Sequence, residues 1–195
     1  FVSYHEPHEP IASAPEFTVK YPEKGKPSRY DPRVTTFQAH HGNISQMDFH
    51  FGRLIDGLKS RGLDSNTLII FTSDNGPAIT GSHPHGFTAG HREKKGHTYD
   101  GGIRVPGIMV WPGQIKAGTT NNTPVGGIDI LPTLAEIAGI KRLATRPLDG
   151  TSVVAAMHGE PFSRKQPLYW HFNASRSAPK VAIRSGPWKL LATVT

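Results

Sequence analysis

The longest regular pattern of apolar positions lies between Thr36 and Ser60. Apolar residues recur there at spacings of three and four, which is the period of one face of an α-helix. They are Phe37, Ile44, Met47, Phe51, Leu54, Ile55 and Leu58. Gly62 is a suitable terminator, because glycine readily adopts the left-handed backbone that closes many helices. The pattern therefore predicts a helix over about 37–60.

Two further apolar runs predict strands. Residues 67–72 are continuously apolar or β-branched, as expected of a buried strand, and residues 103–111 form a second run that Pro106 interrupts. A helix is predicted from Asp129 to Ala138, with Asp129 as its cap and Gly139 at its end. The succession of helices and buried strands predicts an α/β fold.

The pattern of apolar and polar residues changes after Pro161, where shorter strand-like segments follow one another. Strands are expected at 167–172, 181–184 and 188–192, the last two joined as a hairpin. We therefore divide the chain into a domain at 1–160 and the start of a small antiparallel subdomain at 161–195. Since strand-like segments reach both ends, we expect these residues to be part of a longer protein.

Composition narrows the possible chemistry. The 195 residues include no cysteine, which excludes disulfides, thiolate metal sites and a cysteine nucleophile within this chain. No apolar run approaches the roughly 18 residues needed to span a bilayer. The formal net charge of +7 fits either a solvated basic surface or attraction to a polyanion, such as nucleic acid or a sulfated or phosphorylated substrate.

Chemistry-bearing residues follow the first predicted strand in Ser73-Asp74-Asn75-Gly76-Pro77. Ligands of α/β sheets gather beyond the carboxyl ends of strands. Asp74 and Asn75 offer adjacent hard oxygen atoms, which suit calcium or magnesium rather than zinc. The alternative is an ordinary Asn-Gly turn, and the pentapeptide alone favours that alternative.

Two more segments carry candidate groups. Residues 92–102 place Lys95 in a glycine-bounded loop, where an ammonium could meet a tetrahedral anion, although a solvated charge run has the same composition. Residues 5–10 repeat His-Glu-Pro, so that His5 and His8 are candidate metal ligands or proton donors. Taken singly, each segment is more typical of a protein surface.

In their order and spacing, these segments resemble the sulfatase family of the alkaline-phosphatase-like superfamily, nearest the arylsulfatase and N-acetylgalactosamine-6-sulfatase-like branch. The resemblance covers nearly the whole chain. The stretches that carry it are Gly62-Leu63-Asp64-Ser65-Asn66-Thr67, Phe71-Thr72-Ser73-Asp74-Asn75-Gly76-Pro77, Tyr99-Asp100-Gly101-Gly102-Ile103-Arg104-Val105-Pro106, Ile128-Asp129-Ile130-Leu131-Pro132-Thr133-Leu134, Leu148-Asp149-Gly150 and Gly186-Pro187-Trp188-Lys189-Leu190.

The resemblance implies the C-terminal part of an α/β sulfatase core, followed by the start of the antiparallel subdomain. It implies that Asp74 and Asn75 are calcium ligands and that Lys95 contacts the substrate sulfate. It also implies a histidine that faces the sulfate and acts in catalysis. We assign that role to His8, with His5 as the rival.

The family's nucleophile, a formylglycine made within Cys-x-Pro-x-Arg or Ser-x-Pro-x-Arg, has no counterpart among these residues, and neither has its first calcium-binding Asp pair. Ser13-Ala14-Pro15-Glu16-Phe17 approaches the second form, but Phe17 stands where arginine is required. We expect the formylglycine in a missing N-terminal segment. The isolated chain is therefore expected to be inactive.

The resemblance implies a calcium-dependent hydrolase of sulfate esters, acting on a sulfated small molecule or glycan, with a sulfated carbohydrate preferred. It also implies export to the periplasm, the extracellular space or a lysosome. We expect no nucleic-acid partner, and the short apolar runs predict no membrane span. Two alternatives remain open. One is a phosphoesterase or phosphonate hydrolase of the same superfamily, and the other is a non-catalytic polyanion-binding module driven by the +7 charge.

Overall fold

The computed structural model describes residues 1–141, 146–176 and 178–193. The chain divides into two compact units. The first comprises Phe1–Ser65 with Pro77–Gly90, and the second comprises Asn66–Gly76 with His91–Thr195. Among the described residues, every helix is too short or too polar to cross a membrane. The domain boundary between 160 and 161 stays a prediction.

The first unit is built on one long helix. The short helix α1 (Pro15–Thr18) packs against α2 (Thr36–Lys59), which confirms the predicted helix, one residue earlier at each end. Thr35 and Gln38 form a capping box, in which each side chain bonds the other residue's backbone N–H. Gly62 follows the helix with φ +65°, as its role as a terminator requires.

Helix α2 does not bury the apolar face that its sequence pattern predicted. Two residues of that face, Ile44 and Leu54, stay 38% and 39% exposed. The buried positions of α2 lie in its first half, and they are Gln38, Ala39, His40, Gly42 and Asn43. Small residues allow close packing there, since a Cβ on Gly42 would already lie 3.1 Å from the Thr18 Cα.

Residues 77–90 form a loop that folds back onto the start of α2 within the first unit. His83 Nε2 lies 3.2 Å from His40 Nδ1, and His85 Nε2 lies 3.0 Å from Thr36 Oγ1. These contacts tie both histidines of the loop to the helix.

The second unit contains the two predicted strands in shortened form. Strand β1 (Ile69–Thr72) pairs antiparallel with β2 (Gly107–Val110) in a two-stranded sheet. Residues 103–106 are not strand, because helix α3 (Asp100–Ile103) ends there and Pro106 has no N–H for a strand ladder. The predicted burial is also wrong, because β1 is half-buried and three of the four β2 residues are exposed.

Helix α4 (Ile130–Ile137) confirms the predicted helix, and Gly139 closes it with φ +67°. Asp129 precedes α4 but makes no side-chain cap to it. Its carboxylate bonds Arg164 and nearby backbone N–H groups instead. The short helix α5 (Val154–Met157) was not predicted.

The predicted antiparallel segment near the C-terminus is confirmed. Strands β3 (Leu168–His171), β4 (Val181–Ser185) and β5 (Trp188–Ala192) form an antiparallel sheet in that order. One face is packed, with Leu168 4% and Ala182 0% exposed. The start of β5 lies close to the segment that carries Lys95, so this sheet also matters for the candidate site.

Candidate functional site

The turn after β1 presents the two candidate cation ligands. Ser73 Oγ donates to the Asn75 carbonyl at 3.2 Å and so closes the turn. Asp74 is exposed and Asn75 is half-buried. Because Asn75 Nδ2 donates to the Gly76 carbonyl at 3.1 Å, its amide oxygen is the atom left to bind a cation.

Gly76 fixes this turn against residues 100–102. Its N–H donates to the Gly102 carbonyl at 2.9 Å. A Cβ at position 76 would lie 1.9 Å from the Gly101 carbonyl oxygen, so only glycine fits there. The turn that carries Asp74 is thus held by backbone contact rather than by flexible side chains.

The same short segment also contacts residues 92–99, which carry Lys95 and are called the Lys95 loop from here on. The Gly101 N–H donates to the Arg92 carbonyl at 2.8 Å. A Cβ at position 101 would lie 1.9 Å from the Glu93 carbonyl oxygen. Residues 100–102 are therefore sandwiched between the Asp74 turn and the start of the Lys95 loop, and glycine allows the close approach on both sides.

Lys95 is half-buried, and it has no hydrogen-bond or ion-pair partner among the described residues. The other charged groups of its loop are occupied, since the Arg92 guanidinium lies 4.0 Å from the Tyr99 ring centre and Glu93 pairs with His97. The Lys95 ammonium is consequently available to an anion.

An ion pair supports the far side of this loop. Lys189 Nζ lies 2.5 Å from Asp100 Oδ1 and donates to the Thr98 carbonyl at 2.9 Å. Burial alone would raise the pKa of Asp100, but the hydrogen bond and charge of Lys189, aided by Arg184 and His91, bring that pKa below its ordinary value. Asp100 is therefore ionised at neutral pH.

His8 and His5 lie in the first unit and are both exposed. Their rings meet edge to face, with centroids 5.7 Å apart. His8 Nδ1 lies 2.6 Å from the Glu9 carbonyl oxygen, so Nδ1 carries the proton and Nε2 is the free nitrogen. The candidate residues are thus divided, because Asp74, Asn75 and Lys95 belong to the second unit.

The side chains of Asp74 and Asn75 fit a calcium ion only in part. Asp74 and Asn75 have the hard oxygen atoms that calcium prefers, but they are two groups for a shell of about six to eight ligands. The part of the chain that the structure describes contains no cluster of three or more His, Cys, Asp or Glu placed to hold a metal ion. A calcium ion at this turn would need further ligands from elsewhere.

Sequence reasoning missed a cluster of buried histidines in the first unit. His40 is 6% and His83 is 5% exposed. Burial, with the neighbouring His83, His41 and His85, lowers the pKa of His40 to about 4. Burial also lowers the pKa values of His83 and His85. The repeated His40-His41 and the spacing of His83 and His85 are the signals that could have identified the cluster.

Comparison with known proteins places these features in a family. The sulfatase family model matches residues 1–140. A second family model, described as N-sulphoglucosamine sulphohydrolase, C-terminal, matches residues 90–194. The first match includes both the Asp74 turn and the Lys95 loop.

Individual relatives are also named as sulfatases. The chain is 34% identical to rat (Rattus norvegicus) steryl-sulfatase over 75% of this chain and 27% of the relative. It is 36% identical to a sulfatase of Formosa agariphila over 88% of this chain and 32% of the relative. The chain thus spans between a quarter and a third of the length of these curated relatives.

A solved structure shares the fold. Ps i-CgsB, crystallised in complex with k-i-k-neocarrahexaose, superposes with a TM-score of 0.80 and 30% sequence identity. The match covers 96% of this chain and 39% of that one.

Proposed function

We propose that the full-length protein hydrolyses sulfate esters, because the chain belongs to the sulfatase family. The supporting observation is that one backbone segment, residues 100–102, contacts both the turn of Asp74 and the Lys95 loop. Gly76 and Gly101 tie the turn of Asp74 and Asn75 to the loop of the unpaired Lys95. A pair of candidate cation ligands and an unpaired ammonium, carried by two segments that both contact residues 100–102, would suit an anionic substrate.

Lys95 would bind a sulfate oxygen as a point charge. This contact strengthens as negative charge moves onto the departing ester oxygen and its neighbours, which is the condition for lowering the barrier. Asp74 and Asn75 would hold a calcium ion together with ligands from elsewhere in the protein. When bound, the ion supplies electrostatic stabilisation of negative charge on the sulfuryl oxygens.

His8 would act on the bridging oxygen. With Nδ1 committed to the Glu9 carbonyl, Nε2 is the nitrogen that, when protonated, can donate a hydrogen bond to that oxygen and then give its proton to the departing alcohol. That His8 serves the same reaction as Lys95 is part of the proposal.

The nucleophile would be a formylglycine from a segment outside these 195 residues, since no Cys-x-Pro-x-Arg or Ser-x-Pro-x-Arg occurs within them. Residues 1–195 alone would therefore not turn over a sulfate ester, because Lys95 can position an anion but cannot attack it. They would also bind calcium weakly, with two protein groups for its shell.

A sulfated carbohydrate is the proposed substrate class. The ligand crystallised with Ps i-CgsB, k-i-k-neocarrahexaose, is by its name a hexasaccharide, and it supports this choice. We also propose that the full-length protein is exported, as implied by the resemblance to the family. Fractionation of producing cells checks the compartment.

The test is kinetic and uses the full-length protein. Nitrocatechol sulfate and nitrophenyl phosphate are compared as substrates, with and without a calcium chelator. We expect hydrolysis of the sulfate ester, its loss on chelation and its recovery with calcium. Lys95→Met should lower kcat/KM by about 10²–10³-fold, whereas Lys116→Met removes an exposed lysine of the same unit and should change little.

Two results would contradict the proposal. Preferential hydrolysis of the phosphate ester with zinc or manganese would indicate a phosphoesterase. Salt-dependent binding of heparin or DNA without hydrolysis of either ester would indicate a polyanion-binding protein.

A further inference from the structure

The C-terminal sheet contacts the Lys95 loop and Asp100 through one lysine of β5. The ammonium of Lys189 bonds both the Asp100 carboxylate, at 2.5 Å, and the Thr98 carbonyl, at 2.9 Å. These two groups are 89 and 91 residues away in sequence, so the contact is purely tertiary. The Lys189 side chain is 13% exposed, which leaves its charge little access to water.

The connection between β3 and β4 adds two contacts to the same loop. The Thr98 hydroxyl donates to the Pro179 carbonyl at 2.8 Å, and Thr98 is 1% exposed. The Arg176 N–H donates to the Gly96 carbonyl at 2.9 Å. Gly96 is the residue directly after Lys95, so these bonds fix the backbone at the candidate sulfate ligand.

We infer that Lys189 is a positioning residue for Lys95, and that through it the C-terminal sheet sets the place of the sulfate-binding ammonium. The inference rests on the proposed function of Lys95. Asp100 starts the segment 100–102 that also meets Gly76, so a lysine on β5 anchors both halves of the candidate site. Loss of the Lys189 charge leaves Asp100 and the Thr98 carbonyl without their cationic partner, and the loop loosens.

Hydrogen exchange of the full-length protein tests whether Lys189 stabilises this loop, and it does not depend on enzymatic activity. In Lys189→Met, the amides of residues 96–102 should exchange at least about tenfold faster, because their local opening becomes easier. Lys189→Arg keeps a cation and should restore most of the protection. Lys180→Met is the matched control, because Lys180 Nζ bonds the Asn173 carbonyl and not the Lys95 loop. Unchanged exchange in Lys189→Met would overturn the inference.

A double-mutant cycle then tests whether Lys189 affects activity through Lys95. Lys189→Met should lower kcat/KM for a sulfate ester about 10–100-fold, as expected for a small misplacement of a binding group. In a Lys95→Met background the same change should cost less than about twofold. Equal losses in both backgrounds would show a merely structural role and would overturn the inference. A parent protein without sulfatase activity would refute the proposed function instead, while the exchange result would still decide whether Lys189 holds the loop.

Discussion

Gly76 lies so close to Gly101 that a Cβ on the first would stand 1.9 Å from the carbonyl oxygen of the second. Since real Cβ atoms essentially never approach another heavy atom within 3.0 Å, the two backbones touch directly. The turn that carries Asp74 therefore has no room to shift relative to the segment that supports the Lys95 loop.

Gly76→Ala should consequently damage the candidate site. We expect the free energy of unfolding to fall by about 2–3 kcal/mol, as for overpacking of a tight contact, and sulfatase activity to fall with it. Gly107→Ala is the control in the same unit, because a Cβ there meets nothing within 4 Å. Urea unfolding and steady-state kinetics of both variants decide the matter, and equal effects would argue against the close contact.

Arg164→Met should destabilise the second unit strongly. Arg164 bonds both oxygens of Asp129, at 2.9 and 2.5 Å, and Asp129 is 2% exposed. Removing Arg164 leaves a buried carboxylate without its cationic partner, and this typically costs about 3–5 kcal/mol of stability. The measurement is the free energy of unfolding in urea.

An exposed ion pair supplies the comparison. Arg33 pairs with Asp31, but its side chain is 87% exposed, so Arg33→Met should leave the unfolding midpoint unchanged. A similar loss in Arg33→Met and Arg164→Met would mean that burial of Asp129 does not determine the effect.

The helix α2 and the C-terminal strands were predictable because each rests on a local pattern of apolar positions. Their packing was not predictable to the same extent. The apolar face of α2 stays partly exposed, with Leu54 at 39%, while the polar Asn43 is 2% exposed. Periodicity identifies an element, but the partner that covers it is a property of the tertiary fold.

The candidate site shows the same limit. Asp74 and Asn75 were candidates because they follow a strand and because their segment resembles the family, and their role as cation ligands stays a prediction. Lys189 is 89 residues from Asp100, and no local rule pairs the two. Such contacts depend on the sheet register that brings β5 to the Lys95 loop.

Acidification should loosen the first unit through its histidine cluster. His40 has a pKa of about 4 when folded and near 6.5 when unfolded. Between these values the unfolded chain binds more protons, so the stabilisation is complete above pH 6.5 and is lost as the pH falls toward 4. For His40 alone the loss amounts to about 3 kcal/mol.

The surrounding groups mostly act in the same direction. The pKa values of His83 and His85 are lowered as well, mainly by burial, while the charge of Glu9 opposes this effect at His83. His40→Gln should therefore flatten the fall of the thermal midpoint between pH 7 and pH 4.5. His50→Gln, at an exposed position of α2, should retain it. Parallel curves for the two variants would exclude His40 as a source of the pH dependence.

His8 rather than His5 should carry the catalytic role, because the Glu9 carbonyl holds the His8 ring with Nε2 free. In the full-length protein, His8→Gln should lower kcat/KM for an alkyl or sugar sulfate by about 10²–10⁴-fold, the usual worth of a general acid. The loss should be smaller for nitrocatechol sulfate, since its departing phenol hardly needs a proton. His5→Gln, which alters the neighbouring ring 5.7 Å away, serves as the matched control and should have little effect on either substrate. If His5→Gln shows the larger loss, or if the loss in His8→Gln is independent of the leaving group, the assignment of His8 as the proton donor is wrong.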